Sequence, residues 1–180
     1  NGMSRYRRAG AFANAALVCG QEQGGLAAFD RLAAIERAAF AAGGGDWTAP
    51  AQSAAAFLRG EADAILRAGS YAFGVRPARL DRLLPGEAVT ALRSALRHFD
   101  REIPGFISDG VLVGVETRVS SPLRFERDPA TLASSLPDLW LGGEGAGWAG
   151  GIVSAAVDGL KIAEALLTGG PLPLSSPPAA

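Results

Sequence analysis

Gly142, Gly143, Gly145, Gly147, Gly150 and Gly151 crowd into one short span around a single acid, Glu144. A glycine has no Cβ, so its backbone takes positive φ and approaches a ligand closely. A helix start behind such a run offers unpaired N–H groups and the positive end of the helix dipole. The chemistry these residue types suit is the cradling of an electron-rich ligand edge. The N–H groups near Gly151 and Ile152 face a carbonyl oxygen or an anionic ring nitrogen, and the Glu144 carboxylate accepts hydrogen bonds from sugar or ribityl hydroxyls. The pattern is equally compatible with a turn whose glycines only let a helix pack closely on a strand.

The flanking residues say which elements position this run. Leu139-Trp140-Leu141 reads as a short strand, the glycines as a tight turn, and Gly151 to Leu167 as a helix. On that helix Ile152, Ala156, Leu160, Ala163 and Leu167 share an apolar side suited to a sheet, with Ser154, Asp158 and Lys161 opposite. Gly145, Gly147 and Gly150 spell G-x-G-x-x-G. That fingerprint belongs at the start of a βαβ unit, with a second strand and an acid about 20 residues on. Here the helix leads into GGPLPLSSPPAA, so the stretch reads as the closing element of an open α/β sheet. Gly147 and Gly151 also form a GxxxG, but Glu144, Asp158 and Lys161 argue against a membrane helix.

Upstream the period is helical. Leu26 to Ala42 is a helix stopped by Gly43-Gly44-Gly45, with Leu26, Phe29, Leu32, Ala33, Ile35 and Phe40 on its apolar side. Pro50 suits the first position of a short helix over Ala51 to Arg59, and a second helical piece covers Glu61 to Ala68. Pro85-Gly86-Glu87 opens a helix with a Val89, Leu92, Leu96, Phe99 stripe, ended by Pro104-Gly105. His98 falls on its polar side. Val111 to Arg118 is rich in β-branched residues and reads as a strand, with Glu116 and Arg118 on one face; Leu123 to Glu126 reads as another.

The bulk properties narrow the class. The 180 residues are 48% hydrophobic and 19% charged, as in a globular chain. A net charge of −1 gives no electrostatic footprint for nucleic acid or an anionic membrane. Arg5, Arg7 and Arg8 could form a phosphate patch, but so short a run reads rather as a solvated face. No apolar run approaches the roughly 20 residues of a membrane span, and no signal peptide is visible. The single cysteine, Cys19, fits a reducing, cytoplasmic setting and reads as a small buried hydrophobe. One histidine and one cysteine make a structural zinc site improbable, and no metal is expected.

The stretch GGEGAGWAGGIVSAAVDGLKIAEA resembles the C-terminal flavin-binding segment of bacterial FAD-dependent dehydrogenases of the two-dinucleotide-binding-domain flavoprotein type. More narrowly, the chain resembles an FAD-dependent dehydrogenase family that pairs this motif with an upstream EtRtSSPvR, met here by Glu116 to Arg124. NGMSRYRR at Asn1 to Arg8, FANAALV at Phe12 to Val18, APAQ at Ala49 to Gln52 and Ser70-Tyr71 match in the same order. Val119, Ala15 and Trp148 stand where that family has threonine, serine and tyrosine. Such proteins carry an N-terminal G-x-G-x-x-G for the ADP half of FAD, and no such motif precedes residue 145 here.

The resemblance implies an α/β chain, α+β in detail. It would be the C-terminal part of a Rossmann-like FAD/NAD(P)-binding flavoprotein carrying a largely helical insertion. The expected organisation is an extended segment over 1–24, a helical insertion or cap over 25–105, closing strands and helix over 106–168, and a flexible tail over 169–180. The implied function is that of an FAD-dependent oxidoreductase acting on a small molecule. Glu144, Gly143, Gly145, Gly150, Gly151 and Ile152 would lie against FAD. Asn14, Tyr71, Glu116 and Arg118 are the substrate-side candidates, with a strand-surface ion pair as the plainer reading of Glu116 and Arg118. The implied partner is the N-terminal FAD-binding portion of the same protein, and the isolated chain would bind FAD weakly or not at all. The rival readings are a non-enzymatic α/β domain with a packing turn, and a helical interaction module over residues 26–101.

Overall fold

A computed structural model describes residues 6–7, 9–20, 24–67 and 69–168. The expectations for Arg5, Arg8 and the tail over 169–180 lie outside these residues. The described elements are helices with a small mixed sheet, an α+β arrangement within the expected α/β class. In chain order they are α1 (Leu26–Gly43), β1 (Ala49–Ser53), α2 (Ala54–Arg59), β2 (Val75–Pro77), a 3₁₀ turn (Leu80–Arg82), α3 (Gly86–Glu102), β3 (Val111–Val113) and α4 (Ile152–Thr168). The chain divides into two units, Asn1–Glu22 with Asp30–Thr117, and Gln23–Phe29 with Arg118–Ala180.

The first unit is built on β1. It pairs parallel with β2 and antiparallel with β3, in the order β2-β1-β3. Pro50 therefore sits inside a central strand, where its sequence context favours a helix start. Its missing N–H is tolerated because Pro50 lies just beyond the paired residues of β3: the Gly114 N–H donates to the Pro50 carbonyl at 3.0 Å, and only the return bond is lost. The helix begins after Ser53, whose hydroxyl accepts from Ala56 N–H at 3.1 Å. It ends at Gly60 in the left-handed conformation, φ 71°. Glu61 to Arg67 is not helical.

Ala54 and Phe57 of α2, Leu80, and Val89 and Leu96 of α3 form the core, joined by Leu17, Leu92 and Leu112. The stripe on α3 packs as its period predicts, except that Phe99 lies at the rim beside Phe106. Gln52 is fully buried and satisfied: its amide donates to the Glu61 carbonyl at 2.7 Å, and its side-chain oxygen accepts from Leu80 N–H at 2.9 Å. Asp81 beside it is held by Arg79 and Arg93. On α1 the buried residues are Ala28, Ala39 and Gly43, whereas Leu26, Phe29 and Phe40 are exposed. Cys19 is half-buried.

The strand over Val111 to Arg118 stops at Val113, so Glu116 and Arg118 share no strand face. In the second unit neither Leu123 to Glu126 nor Leu139 to Leu141 is a strand. A strand needs a neighbour for its ladder, and among the described residues of this unit none runs beside either segment. Among the described residues no parallel layer ends at Leu141. Isolated backbone bonds hold these segments instead: Phe125 N–H donates to the Ala146 carbonyl at 3.1 Å, and Ser134 N–H to the Leu139 carbonyl at 3.0 Å.

The packing face of α4 also departs from its periodicity. The helix buries Asp158 and Ala165, with Ala155 and Ile162 partly covered, while Ile152, Ala156, Leu160, Ala163 and Leu167 are exposed. Of the polar residues only Asp158 turns into the unit, where it has a buried cationic partner; Ser154 is exposed and Lys161 half-buried.

Candidate functional site

The glycine run folds as a turn anchored from α4. Gly143 takes φ 71°, its N–H donates to Asp158 Oδ2 at 2.8 Å, and its carbonyl accepts from Trp148 N–H at 3.0 Å. Gly147 N–H donates to the Glu144 carbonyl at 3.0 Å. Asp158 also takes both outer nitrogens of Arg127, at 2.6 and 3.0 Å, and Arg127 reaches the Leu141 carbonyl at 3.4 Å. Asp158 is held below the ordinary carboxylate range chiefly by the Arg127 hydrogen bonds, against the opposing cost of burial, with help from Gly143 N–H. The Arg127 guanidinium lies over the Trp148 ring, 3.9 Å from its centroid, with Arg124 at 4.8 Å. The Trp148 indole N–H donates to the Phe125 carbonyl at 2.8 Å.

The glycines fall into two groups. A Cβ on Gly142 would meet Ile162 Cδ1 at 2.3 Å, and one on Gly147 would meet the Leu123 carbonyl oxygen at 2.2 Å. Packing requires glycine at both. A Cβ on Gly145 or Gly150 would meet nothing within 4 Å, and one on Gly151 only the Ser154 hydroxyl at 3.7 Å, with positive φ at none of the three. Nothing in this chain's own packing calls for glycine there. The edge beside them is open and carries donors. The first i→i−4 bond of α4 runs from Ala155 N–H to the Gly151 carbonyl at 2.9 Å, which leaves the N–H groups of Ile152, Val153 and Ser154 without a helical partner. A hollow of ≈ 750 Å³ opens against them, lined by Trp148, Gly151, Ile152, Val157 and Lys161 among others. Glu144 is half-buried beside the turn, and among the described residues its carboxylate has no hydrogen-bond partner.

Gly143, Glu144, Gly145, Gly150, Gly151 and Ile152 therefore lie together in the second unit. Arg118 is exposed at the start of the same unit's long segment. Asn14, Tyr71 and Glu116 belong to the first unit. Asn14 and Glu116 are exposed. Tyr71 is half-buried, its hydroxyl donates to the Trp47 carbonyl at 3.4 Å, and it lines a hollow of ≈ 510 Å³ with Gly74, Val75 and Pro77. Sequence reasoning missed Arg127 and misplaced Asp158. Asp158 stands on a helix that also carries Lys161 and Glu164, and its partner stands 31 residues away, so no local pattern marks the pair. Among the described residues no group of histidine, cysteine or carboxylates could hold a metal, and no helix is long and apolar enough to cross a membrane.

The chain belongs to the family described as FAD-dependent protein, C-terminal domain-like, whose sequence model matches residues 1–119. It is also similar to an uncharacterized protein of Clostridium beijerinckii, 36% identical over 176 residues, a match covering 93% of this chain. The chain spans about a third of that relative's length, 33%. The family match ends before the glycine turn, so the turn's role rests on its own geometry.

Proposed function

We propose that this chain is the C-terminal part of a cytoplasmic FAD-dependent oxidoreductase, a dehydrogenase, and that its glycine turn and the start of α4 close the flavin site. The observation that carries the reading is the open edge at Gly145 and Gly150. A Cβ at either position would meet nothing within 4 Å, so the backbone there is open to the approach of a ligand. The residues fit a flavin on chemical grounds: N–H donors at Gly151 and Ile152 suit the pyrimidine edge, and a half-buried carboxylate at Glu144 suits ribityl or ribose hydroxyls. When bound, the isoalloxazine supplies the hydride chemistry. The chain's own residues orient it, and the α4 dipole favours negative charge at the ring edge. Asn14, Tyr71, Glu116 and Arg118 are our candidates for substrate contact. The N-terminal FAD-binding portion of the same polypeptide would supply the ADP grip.

A packing turn with no ligand accounts for Gly142 and Gly147 but leaves Gly145 and Gly150 unexplained. The test is the visible flavin spectrum of the full-length polypeptide, alone and with Glu144→Ala or Gly150→Val. The expected result is a bound flavin that both variants weaken, while the 180-residue chain takes up FAD weakly or not at all. A full-length polypeptide that stays colourless after incubation with FAD overturns the proposal.

A further inference from the structure

The first unit holds a hollow of its own. It measures ≈ 510 Å³, within the range of about 300–1,000 Å³ common to small-molecule sites. Its apolar lining comes from Ile65 and Leu66 and from Val75 and Pro77 of β2. Arg67 and Tyr71 are the polar side chains among its lining residues. Glu61 to Arg67 belongs to no helix or strand, yet its start is clamped. Gln52 donates its amide to the Glu61 carbonyl at 2.7 Å. The Asp63 carboxylate accepts from the Ser53 N–H and from the Ser53 hydroxyl, each at 2.7 Å. These bonds fix the irregular strip to the end of β1, so its apolar residues are held in place beside β2. Ile65 is 87% exposed there, with no packing of its own to explain an isoleucine. Mostly apolar walls with a few fixed polar groups are what a small-molecule site requires.

Arg67 sets the charge. Its Nη1 donates to Asp109 Oδ1 at 2.9 Å, and both side chains are exposed. A pair so exposed contributes little stability, and this bond engages one of the five guanidinium donors. The Tyr71 hydroxyl reaches the Trp47 carbonyl at 3.4 Å, longer than an ordinary O–H···O bond. Both groups can turn donors to a ligand.

We infer that this hollow takes the substrate and that the substrate is a small apolar monocarboxylate, its acid group on Arg67 and Tyr71 and its body against Ile65, Leu66 and Val75. This rests on the proposed reading of the chain as part of an oxidoreductase. It adds Arg67 and Ile65 to the substrate side and gives the substrate a chemical class. A guanidinium fork matches the two oxygens of a carboxylate. A sugar or polyol would find no further polar side chain among the lining residues. Asp109 competes with the ligand for Arg67, which sets a direction for each variant.

The test is calorimetric titration of the full-length polypeptide with phenylacetate and with hexanoate, each beside its neutral amide. The expected result is that an acid binds at least about 10-fold more tightly than its amide, and the better acid tells an aromatic body from an aliphatic one. Arg67→Gln should weaken the acid on the order of 10- to 100-fold and leave the amide unchanged. Asp109→Asn should tighten the acid, by roughly 3- to 10-fold, because the competitor is gone. Both positions are exposed, so neither variant endangers the fold. Equal weakening by the two variants marks a pair that only shapes the surface and overturns the inference. So does an acid bound no better than its amide, an acid indifferent to Arg67→Gln, or no binding of either acid. Calorimetry needs no flavin, so acid binding by a polypeptide that takes up no FAD rejects the flavin reading alone. A flavin-loaded polypeptide that binds neither acid rejects the carboxylate site alone.

Discussion

Arg127 grips Asp158 with both outer guanidinium nitrogens, and the two side chains are only 7% and 9% exposed. This buried pair joins the loop before the glycine turn to the middle of α4, and the same carboxylate holds Gly143 N–H. Removing one partner leaves a buried charge with nothing opposite. Arg127 Nε already lacks a hydrogen bond, so Arg127 is the worse residue to strand. Asp158→Ala should destabilise the second unit by about 3–5 kcal/mol. Adding Arg127→Leu should recover part of the loss. Urea unfolding of the two variants checks this; a double variant no better than Asp158→Ala would refute it.

The pair also predicts an acid limb. The folded Asp158 carboxyl sits below its ordinary value, first through the Arg127 hydrogen bonds and against the cost of burial. A depressed folded pKa gives stability that is fully present above the unfolded value, about 3.9 for aspartate, and is lost as pH falls through the folded one. Thermal stability should therefore be level through mildly acid pH and drop below about pH 4. Asp158→Asn should be less stable at neutral pH and show a shallower acid drop. Asp81, held down chiefly by Arg79, keeps part of the limb in that variant. An unchanged acid slope counts against the assignment.

Alanine at different glycines should separate folding from ligand approach. Gly142→Ala should cost about 1–3 kcal/mol, because its Cβ would press on Ile162 and Asp158. Gly147→Ala should cost at least as much, with φ 78° and the Leu123 carbonyl in the way. Gly145→Ala and Gly150→Ala should stay within about 0.5 kcal/mol. In the full-length polypeptide these last two should still lower flavin affinity. Melting curves beside a flavin titration give both readouts.

In the first unit, Gln52→Ala should strand the Leu80 N–H and cost about 1–3 kcal/mol. Phe57→Ala, at the centre of the core, should cost about 3–5 kcal/mol. If Gln52→Ala unfolds at the same denaturant concentration as the native chain, its buried bonds carry no net stability.

Much of the helical content is legible without coordinates. The bodies of α1, α3 and α4 follow from the 3.6-residue period and from the breakers at Gly43 and Pro104, because helix hydrogen bonds join residues four apart. The glycine turn is legible in the same way. Its anchor is not, because the acid that holds Gly143 is itself held by a residue far away in the chain.

The sequence by itself determines the bodies of α1, α3 and α4 and that glycines crowd around Glu144, though it also suggests a helix over Glu61 to Arg67 that does not form. The tertiary structure decides what depends on distant partners. Pro50 became strand because β1 finds β2 and β3. Leu139 to Leu141 stayed out of a sheet because no strand lies beside it among the described residues of its unit. Asp158 lies on the inward face of α4 because Arg127 pairs with it, and a buried pair with both charges hydrogen-bonded lets that one acid turn inside among Ala155, Ile162 and Ala165. Periodicity registers which side chains share a face, but the side that is buried is set by what packs against it.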